Sequence, residues 1–205
     1  GWAGDVTRCW PVSGAFEGGQ RDAYQVVLDA QAAALEVTRP GARYRDVHLA
    51  AARATTRGLV ELGVLEGDVD ELVEDGVHAL LFPHGVGHLL GLDVHDMEDL
   101  GDRAGYAPGR ERSTQFGLSY LRLDRDLEPG MAVTIEPGLY VVPAILENET
   151  LRDVEAGRLR RDKLKALNVR GIRIEDDILI TETGHELLTA GAPKGVAEVE
   201  ALVGS

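Results

Sequence analysis

Three of the six histidines lie within twelve residues of one another, in a stretch rich in glycine. They are His84, His88 and His95. Imidazole binds metal ions and transfers protons near neutral pH, so this cluster is a candidate site. The glycines at positions 85, 87 and 91 would weaken a helix, so the cluster does not fit a helical zinc site. The alternative is that these histidines are ordinary core or surface residues.

A second candidate is Glu136, which lies in the largely apolar sequence TIEPG. These neighbours indicate a buried strand, and glutamate is rarely buried without a partner. A metal ion would supply that partner, and a buried arginine would serve almost as well. The sequence around Glu136 leaves both possibilities open.

A third polar group lies in the sequence GIRIEDD. The alternation of side chains along a strand places Arg173, Glu175 and Asp177 on one face and the isoleucines on the other. This pattern indicates either a polar site or a solvated sheet face with paired charges. Asp5, between Gly4 and Val6, presents the same choice.

Taken together, these segments contain one or more histidines and several carboxylates on strands or tight loops. Hard oxygen ligands with one imidazole suit Mn²⁺, Co²⁺, Fe²⁺ or Mg²⁺, and zinc less distinctively. Carboxylates can bridge two cations, and a pair of metals activates water and polarises a carbonyl. The pattern therefore indicates hydrolytic chemistry.

The composition excludes several other classes of protein. The chain has 205 residues and a formal net charge of −14, which argues against nucleic acid and against an anionic membrane surface as partners. No stretch is apolar enough to span a bilayer. Cys9 is the sole cysteine, which precludes an internal disulfide and fits a cytoplasmic location.

The elements that must position these residues follow from periodicity and from turn residues. We expect helices early in the chain and strands later, which favours the α+β class. The predicted elements are a strand over 2–12, helices over 20–38, 45–62 and 69–75, a loop over 98–120, a strand over 131–140 broken at Pro137-Gly138, a charged helix over 147–167, a strand over 170–181, and a helix over 196–203.

Four stretches resemble the pita-bread metallopeptidases, and among them the Xaa-Pro peptidases, prolidase and aminopeptidase P. They are GWAGDVTRCWPVSGAF, HGVGHLLGLDVHD, LEPGMAVTIEPGLY and RGIRIEDDILITETGHELLT. The resemblance implies an α+β pita-bread fold, in which a curved antiparallel sheet is covered by helices. It also implies that residues 1–205 are a partial domain, namely a C-terminal catalytic domain without its first segment and without the N-terminal domain.

The resemblance also assigns roles to residues. It implies two divalent ions, with Mn²⁺ expected and Co²⁺ or Zn²⁺ as alternatives. A water that bridges the ions would attack the scissile carbonyl, and Glu136 would take its proton. His84 and His95 would line the proline pocket and steady the carbonyl, and Arg173 would orient neighbouring carboxylates. The implied metal ligands are Asp5, His88, Glu136 and Glu175.

Arg122 bears on the choice between the two peptidases. It matches an arginine that grips the proline carboxylate in prolidase, and bidentate arginine suits that task. The charged insertion over 147–167 also resembles the longer prolidase form. These features favour a dipeptidase over an aminopeptidase that acts on longer Xaa-Pro peptides. The alternative is that Arg122 is a solvated charge in a mixed run of acidic and basic residues.

One departure from the family pattern concerns the fifth ligand. The family's first aspartate lies about eleven residues before the position of Asp5, where this sequence has not begun. We therefore expect the missing N-terminal part of the same protein to be a partner, and a homodimer by analogy. Two alternative hypotheses for a protein with this fold are a metal-free enzyme such as creatinase and a non-catalytic binding module.

Overall fold

The computed structural model describes residues 1–204, with its two long helices early in the chain and small antiparallel sheets joined by short helices later. The α-helices are α1 Gly19–Val37, α2 Tyr44–Glu61, α3 Val69–Glu74, α4 Asp102–Gly105, α5 Pro143–Leu146, α6 Arg152–Glu155, α7 Arg161–Ala166 and α8 Val196–Val203. Short 3₁₀ turns cover Val77–Leu80, Glu98–Leu100, Leu118–Tyr120 and Glu149–Leu151. The α+β class predicted from the sequence is confirmed.

The two long helices agree with the apolar periodicity of the sequence. Helices α1 and α2 pack closely on each other, and Val26 fits against Gly58 at their contact. The inward faces of both helices are fully buried, and α1 also contacts β1, β2 and β3. Burial of these apolar faces supplies most of the stability of such helices, because isolated helices of this length are marginal in water. The helix pair is therefore a rigid layer behind the strands.

The strands form two small antiparallel sheets. They are β1 Ala132–Ile135, β2 Gly138–Tyr140, β3 Gly171–Arg173, β4 Asp176–Ile180 and β5 His185–Leu187. One sheet has the order β1-β4-β5, and the other consists of β2 paired with β3. Along the chain β2 follows β1, and β4 follows β3. The segment that contains β1 and β2 therefore runs antiparallel to the segment that contains β3 and β4, and their pairing is interrupted between the two sheets.

The predicted strand over residues 2–12 is wrong. In this segment the structure has a single isolated bridge, between Thr7 and Glu175. At this bridge the guanidinium of Arg8 donates to the carbonyl oxygen of Glu175 at 2.7 Å, so a side chain contacts an acceptor that a continuous ladder would pair with a backbone N–H.

The segment over 147–167 is helical as predicted, but in short pieces rather than as one helix: the 3₁₀ turn Glu149–Leu151, α6 and α7. Asn148 accepts a hydrogen bond from the backbone N–H of Thr150 and starts a new turn. Gly157 has φ +71°, a left-handed conformation that ends the next turn. The segment between Val141 and Arg170 is an excursion from the sheet. Its two ends meet where the N–H of Val141 donates to the carbonyl of Arg170 at 2.8 Å.

The predicted strand over 170–181 is two strands, β3 and β4, and β5 was not predicted. The break predicted at Pro137-Gly138 occurs one residue earlier, between Ile135 and Gly138. Among the described residues, no helix is long and apolar enough to cross a membrane.

Candidate metal centre

His88 is held beside strand β1 by backbone hydrogen bonds. The N–H of Glu136 donates to the carbonyl of Val86 at 2.7 Å, and the N–H of Thr134 donates to the carbonyl of His88 at 3.0 Å. A Cβ atom at Gly87 would collide with the backbone oxygen of Thr134. The glycine-rich sequence is therefore needed for the close approach that brings His88 next to Glu136.

Both candidate glutamates lie where the strands are interrupted. Glu136 and Pro137 separate β1 from β2, and Ile174 and Glu175 separate β3 from β4. Because β1 pairs with β4 and β2 pairs with β3, the two interruptions are opposite each other. Breaks in a ladder re-aim side chains, and here two carboxylates come together from adjacent segments.

Asp5 joins this group through the N-terminal segment. Its backbone N–H donates to both carboxylate oxygens of Asp177 at 3.2 Å. Two residues later, Thr7 accepts the N–H of Glu175 at 3.1 Å through its carbonyl, and its hydroxyl donates to Glu175 Oε2 at 2.5 Å. The segment that carries Asp5 is thus fixed to the strand break that carries Glu175.

The imidazole of His88 is oriented toward the carboxylates. Its Nδ1 lies 2.9 Å from the carbonyl of Leu89 and donates a proton there, so the lone pair is on Nε2. This Nε2 is 3.6 Å from Asp5 Oδ2 and 3.7 Å from Glu136 Oε1. Both distances exceed a hydrogen bond, which leaves the three groups facing a shared space.

Two buried atoms at this point have no hydrogen-bond partner among the described residues. They are His88 Nε2 and Glu175 Oε1. Leaving such an atom unpaired costs about 1–3 kcal/mol, so a partner is expected. One donor atom each of His88, Glu136 and Glu175 lies within 4.8 Å of the others, and the same holds for Asp5, His88 and His95. The residues present therefore fit a divalent cation with oxygen and imidazole ligands.

A second group of side chains lies at the edge of this cluster. Arg173 Nη1 is 3.1 Å from Glu136 Oε2, and its Nε donates to the hydroxyl of Tyr140 at 2.7 Å. That hydroxyl lies 3.1 Å from His84 Nε2, while His84 Nδ1 lies 2.7 Å from the carbonyl of Gly85. With its proton on Nδ1, His84 accepts from Tyr140. Arg173 thus contacts Glu136 directly and His84 through the hydroxyl of Tyr140.

His95 and Arg122 share a carboxylate. Glu98 Oε2 is 2.9 Å from His95 Nδ1 and 2.9 Å from Arg122 Nη1. The ring of His95 meets that of His88 edge-on, with centroids 4.4 Å apart. All three side chains are partly exposed, so they form a polar rim beside the buried cluster.

Burial disfavours the charged form of a side chain, so it raises the pKa of buried acids and lowers the pKa of buried bases. Burial, followed by repulsion from Glu175, raises the pKa of Glu136 to about 7. Burial likewise raises the pKa of Glu175. Burial, followed by the charge of Arg173, lowers the pKa of His84 to about 4. His84 is therefore neutral at pH 7, as its role as an acceptor from Tyr140 requires.

A cavity of about 130 Å³ joins the cluster to its rim. It is lined by Asp5, His84, Gly85, His88, His95, Arg122, Glu136 and Arg173. Every predicted site residue except Glu175 therefore faces one cavity. A neighbouring cavity of about 550 Å³ shares His84 and Arg122 with it and adds apolar wall from Phe116, Tyr120 and Ile145.

The fold and the cluster together define a class of protein. The chain belongs to metallopeptidase family M24, because the sequence model of that family matches residues 1–182. The chain is 42% identical over 203 residues to the Xaa-Pro aminopeptidase of Escherichia coli (strain K12), with 99% of this chain and 38% of that protein covered. It is 38% identical over 201 residues to the Xaa-Pro dipeptidase of Homo sapiens, with 98% of this chain and 39% of that protein covered.

Solved structures agree with the sequence relatives. The aminopeptidase PepP of Pseudomonas aeruginosa superposes with a TM-score of 0.74 at 39% identity, covering 99% of this chain and 38% of that one. A zinc-substituted Escherichia coli aminopeptidase P in complex with product gives 0.74 at 40% identity, covering 98% and 38%. The pita-bread fold is confirmed, and the chain spans about 38% of the length of these relatives.

The sequence did not identify several residues that hold the site together. Thr7, Tyr140 and Glu98 each contact a predicted site residue. Thr7 could have been found, because it is two residues from Asp5 and therefore on the same side of an extended segment. Tyr140 and Glu98 carry no such signal, because their contacts depend on how β2 and the loop after His95 are placed.

Proposed function

We propose that this chain carries most of a dinuclear metal centre that hydrolyses the Xaa-Pro peptide bond, with dipeptides as the preferred substrates. The observation that carries the proposal is the cavity on which seven of the eight predicted site residues converge, beside a buried imidazole nitrogen with no partner. Relatives named as Xaa-Pro peptidases over nearly the whole chain support the substrate class.

The proposed ligands are Asp5, His88, Glu136 and Glu175. Two divalent cations would supply an activated water at neutral pH and polarise the scissile carbonyl. Mn²⁺ is the expected metal, and Co²⁺ or Zn²⁺ would suit the same donors. We propose that a fifth ligand, an aspartate, comes from a part of the protein upstream of this chain.

The protein side chains have three tasks in this reaction. Glu136 takes the proton of the attacking water, and Arg173 keeps its carboxylate aimed at the cluster through the contact of 3.1 Å. Neutral His84 and the more exposed His95 line the cavity on the side where a carbonyl oxygen would develop charge. A hydrogen bond from His95 would stabilise that charge, whereas His84 would first have to change tautomer, because its Nδ1 proton faces the carbonyl of Gly85 and its Nε2 accepts from Tyr140.

Arg122 supports the preference for dipeptides. Its guanidinium lies in the wall shared by both cavities and is about half exposed, so a carboxylate entering from the larger cavity could reach it. A dipeptide that ends in proline places its free carboxylate next to the scissile bond, which a longer peptide does not. Bidentate arginine recognition would then contribute to binding.

An aminopeptidase that removes one residue from longer Xaa-Pro peptides is the second candidate. It is favoured by the 42% identity to the Escherichia coli enzyme and by the cavity of about 550 Å³, which offers room for residues after proline. The charged segment between β2 and β3 instead favours a dipeptidase, because it resembles the longer prolidase form.

The test is an assay of metal-free protein, prepared from the full-length polypeptide, with Mn²⁺ added back. Ala-Pro and an Ala-Pro-Xaa tripeptide are compared by kcat/KM. We expect activity to appear with two equivalents of Mn²⁺ and to be higher on Ala-Pro. Higher kcat/KM on the tripeptide would support the aminopeptidase instead. Absence of any hydrolysis in the metal-loaded protein would reject both.

A further inference from the structure

Gln31 is a buried polar residue on helix α1, in the sequence DAQAAAL. It is fully buried, which is unusual for glutamine. Its side-chain nitrogen donates to the carbonyl oxygens of Ile135 and Ile174, both at 3.2 Å. These two residues directly precede Glu136 and Glu175. One amide group therefore contacts the chain immediately before each glutamate.

The position of these contacts matters because the ladder is interrupted there. Between the pairs Ile135–Asp176 and Gly138–Arg173, the two segments keep the same register, which places Glu136 opposite Glu175. What is reduced is the hydrogen bonding, because the N–H groups of both glutamates donate elsewhere and, among the described residues, one backbone bond of 3.4 Å, from Ile174 to Pro137, crosses the gap. With so few cross-strand bonds, the separation of the two segments depends on other contacts as well. The two donors of the Gln31 amide span the gap from the side of the rigid helix layer.

The amide is itself held in one orientation. Its oxygen accepts a hydrogen bond from Lys194 Nζ at 2.8 Å, and the same ammonium lies 2.7 Å from Asp176 Oδ2. Asp176 is fully buried and also binds Arg8 at 2.6 Å. Because the amide oxygen is engaged with a cation, the amide nitrogen must face the two carbonyls. The network thus connects Asp176, next to Glu175, back to the helix.

We propose that Gln31 is a positioning residue of the metal centre, which sets the separation of Glu136 and Glu175 by holding both strand breaks through one amide, with Lys194 fixing that amide. This inference rests on the proposed function, because it requires that the two glutamates bind metal. Ligand groups must be held to within about 0.5 Å for tight binding, and partners of the ligands commonly contribute 10–100-fold to metal affinity.

A purely structural role predicts a different outcome. If Gln31 only satisfies two buried carbonyls, its replacement would destabilise the fold and leave metal affinity unchanged once the protein is folded. If it sets the separation of the ligands, the metal-free fold would persist while metal binding weakens. Metal affinity and the thermal stability of the metal-free protein therefore distinguish the two roles.

The experiment uses Gln31→Met in the full-length protein, because methionine keeps the length of the side chain and removes both donors. Gln25→Met is the matched control, since Gln25 lies on the same helix and is exposed. Val26→Ala is a second control, which loosens the contact with α2 without touching the carbonyls. For each protein, the Tm of the metal-free form, the Kd for Mn²⁺ and the visible spectrum with Co²⁺ are measured.

We expect Gln31→Met to raise the Kd for Mn²⁺ by about 10–100-fold and to alter the Co²⁺ spectrum. Gln25→Met and Val26→Ala should bind Mn²⁺ as the unsubstituted protein does, even though Val26→Ala lowers Tm. If Gln31→Met is poorly folded, Gln31→Asn keeps a polar amide that is one methylene too short to hold both carbonyls, and it should raise the Kd in the same direction.

Two results would overturn the inference. Unchanged Mn²⁺ affinity and Co²⁺ spectrum in folded Gln31→Met or Gln31→Asn would show that the amide does not set the ligand geometry. An equal loss of affinity in Val26→Ala would show that general loosening of the fold is responsible. Failure of the unsubstituted protein to bind Mn²⁺ is a separate outcome, which rejects the proposed function and this inference together.

Discussion

Arg122 binds the carboxylate of Glu98, with Nη1 and Oε2 2.9 Å apart. Glu98 thus occupies the guanidinium that is proposed to receive the carboxylate of a dipeptide substrate. An incoming carboxylate must displace Glu98 or share the arginine with it. The balance between these two carboxylates is therefore expected to tune how strongly the protein prefers dipeptides.

Glu98→Gln tests this balance. The substitution leaves Arg122 without its internal carboxylate, so we expect the KM for Ala-Pro to fall, with little change in kcat. The pair is about half exposed, and exposed ion pairs are worth roughly 0.2–1 kcal/mol, so the decrease should be at most about fivefold. Glu111→Gln, at an exposed glutamate of the same region, is the control. A rise in KM would mean that Glu98 helps Arg122 bind substrate.

Removal of Arg122 should separate the two substrate classes. Arg122→Ala deletes a charged hydrogen-bond donor, which is worth about 1.5–3 kcal/mol, so the KM for Ala-Pro should rise about 10–100-fold. Hydrolysis of a longer Xaa-Pro peptide should be much less affected, because its carboxylate lies further away. The comparison requires kcat/KM for both substrates in the same preparation. Equal losses on both would assign Arg122 a structural role.

The proposed ligands should lose metal and activity together. We expect His88→Ala and Glu175→Ala each to bind less than two equivalents of Mn²⁺ and to lose hydrolysis by several orders of magnitude. Metal content by elemental analysis and kcat on Ala-Pro are measured in parallel. Glu186→Ala, at an exposed position on β5, is the control for loss of a carboxylate. Full turnover in either ligand variant contradicts the assignment.

His78 should make the metal-free protein sensitive to acid. It is buried, and burial lowers its pKa to about 4. A histidine in the unfolded chain has a pKa near 6.5, whereas His78 in the folded protein has a pKa of about 4. As the pH falls, the unfolded chain therefore takes up the proton first. The stabilising contribution of neutral His78 is therefore complete above pH 6.5 and is lost as the pH falls toward 4, by about 3 kcal/mol in total.

His78→Leu removes this titration and is read out by urea unfolding of the metal-free protein between pH 4 and pH 7.5. Its stability should fall less steeply below pH 6.5 than that of the unsubstituted protein. Neither ring nitrogen of His78 has a partner among the described residues, so leucine should be tolerated at neutral pH. His185→Leu, at an exposed histidine, is the matched control. Identical slopes for His78→Leu and the unsubstituted protein would refute the prediction.

The sequence predicted those parts of the fold that depend on local pattern. The long helices α1 and α2 have apolar residues at helical spacing and glycine or proline near their ends, and they form within a few residues of the predicted bounds. The charged segment over 147–167 has helix-forming residues but no continuous apolar face. Its buried leucines, Leu151, Leu159, Leu164 and Leu167, do not follow the spacing of one helix face, so a cap at Asn148 and the turn at Gly157 divide it into short pieces.

The site was predictable to the extent that motifs identify donor atoms. His88, Glu136 and Asp5 were singled out, and the structure places them within a few ångströms. The contacts that orient them were not predictable, because Gln31 and Tyr140 are distant in sequence from the residues they hold. Helical spacing places Gln31 on the buried face with Val27 and Ala34, so its burial could have been predicted, but not which carbonyl oxygens its amide would contact.

The closed excursion between β2 and β3 has a consequence for how such proteins can change. The chain leaves at Val141 and returns at Arg170, where one backbone hydrogen bond joins the two ends. Between these ends the segment is anchored by four leucines that are buried in the core, Leu151, Leu159, Leu164 and Leu167, and by the pairing of Leu159 with Leu65. Its exposed turns, rather than the whole segment, are therefore the places where a grafted epitope or an inserted reporter could be accommodated while the chemistry behind them is left intact.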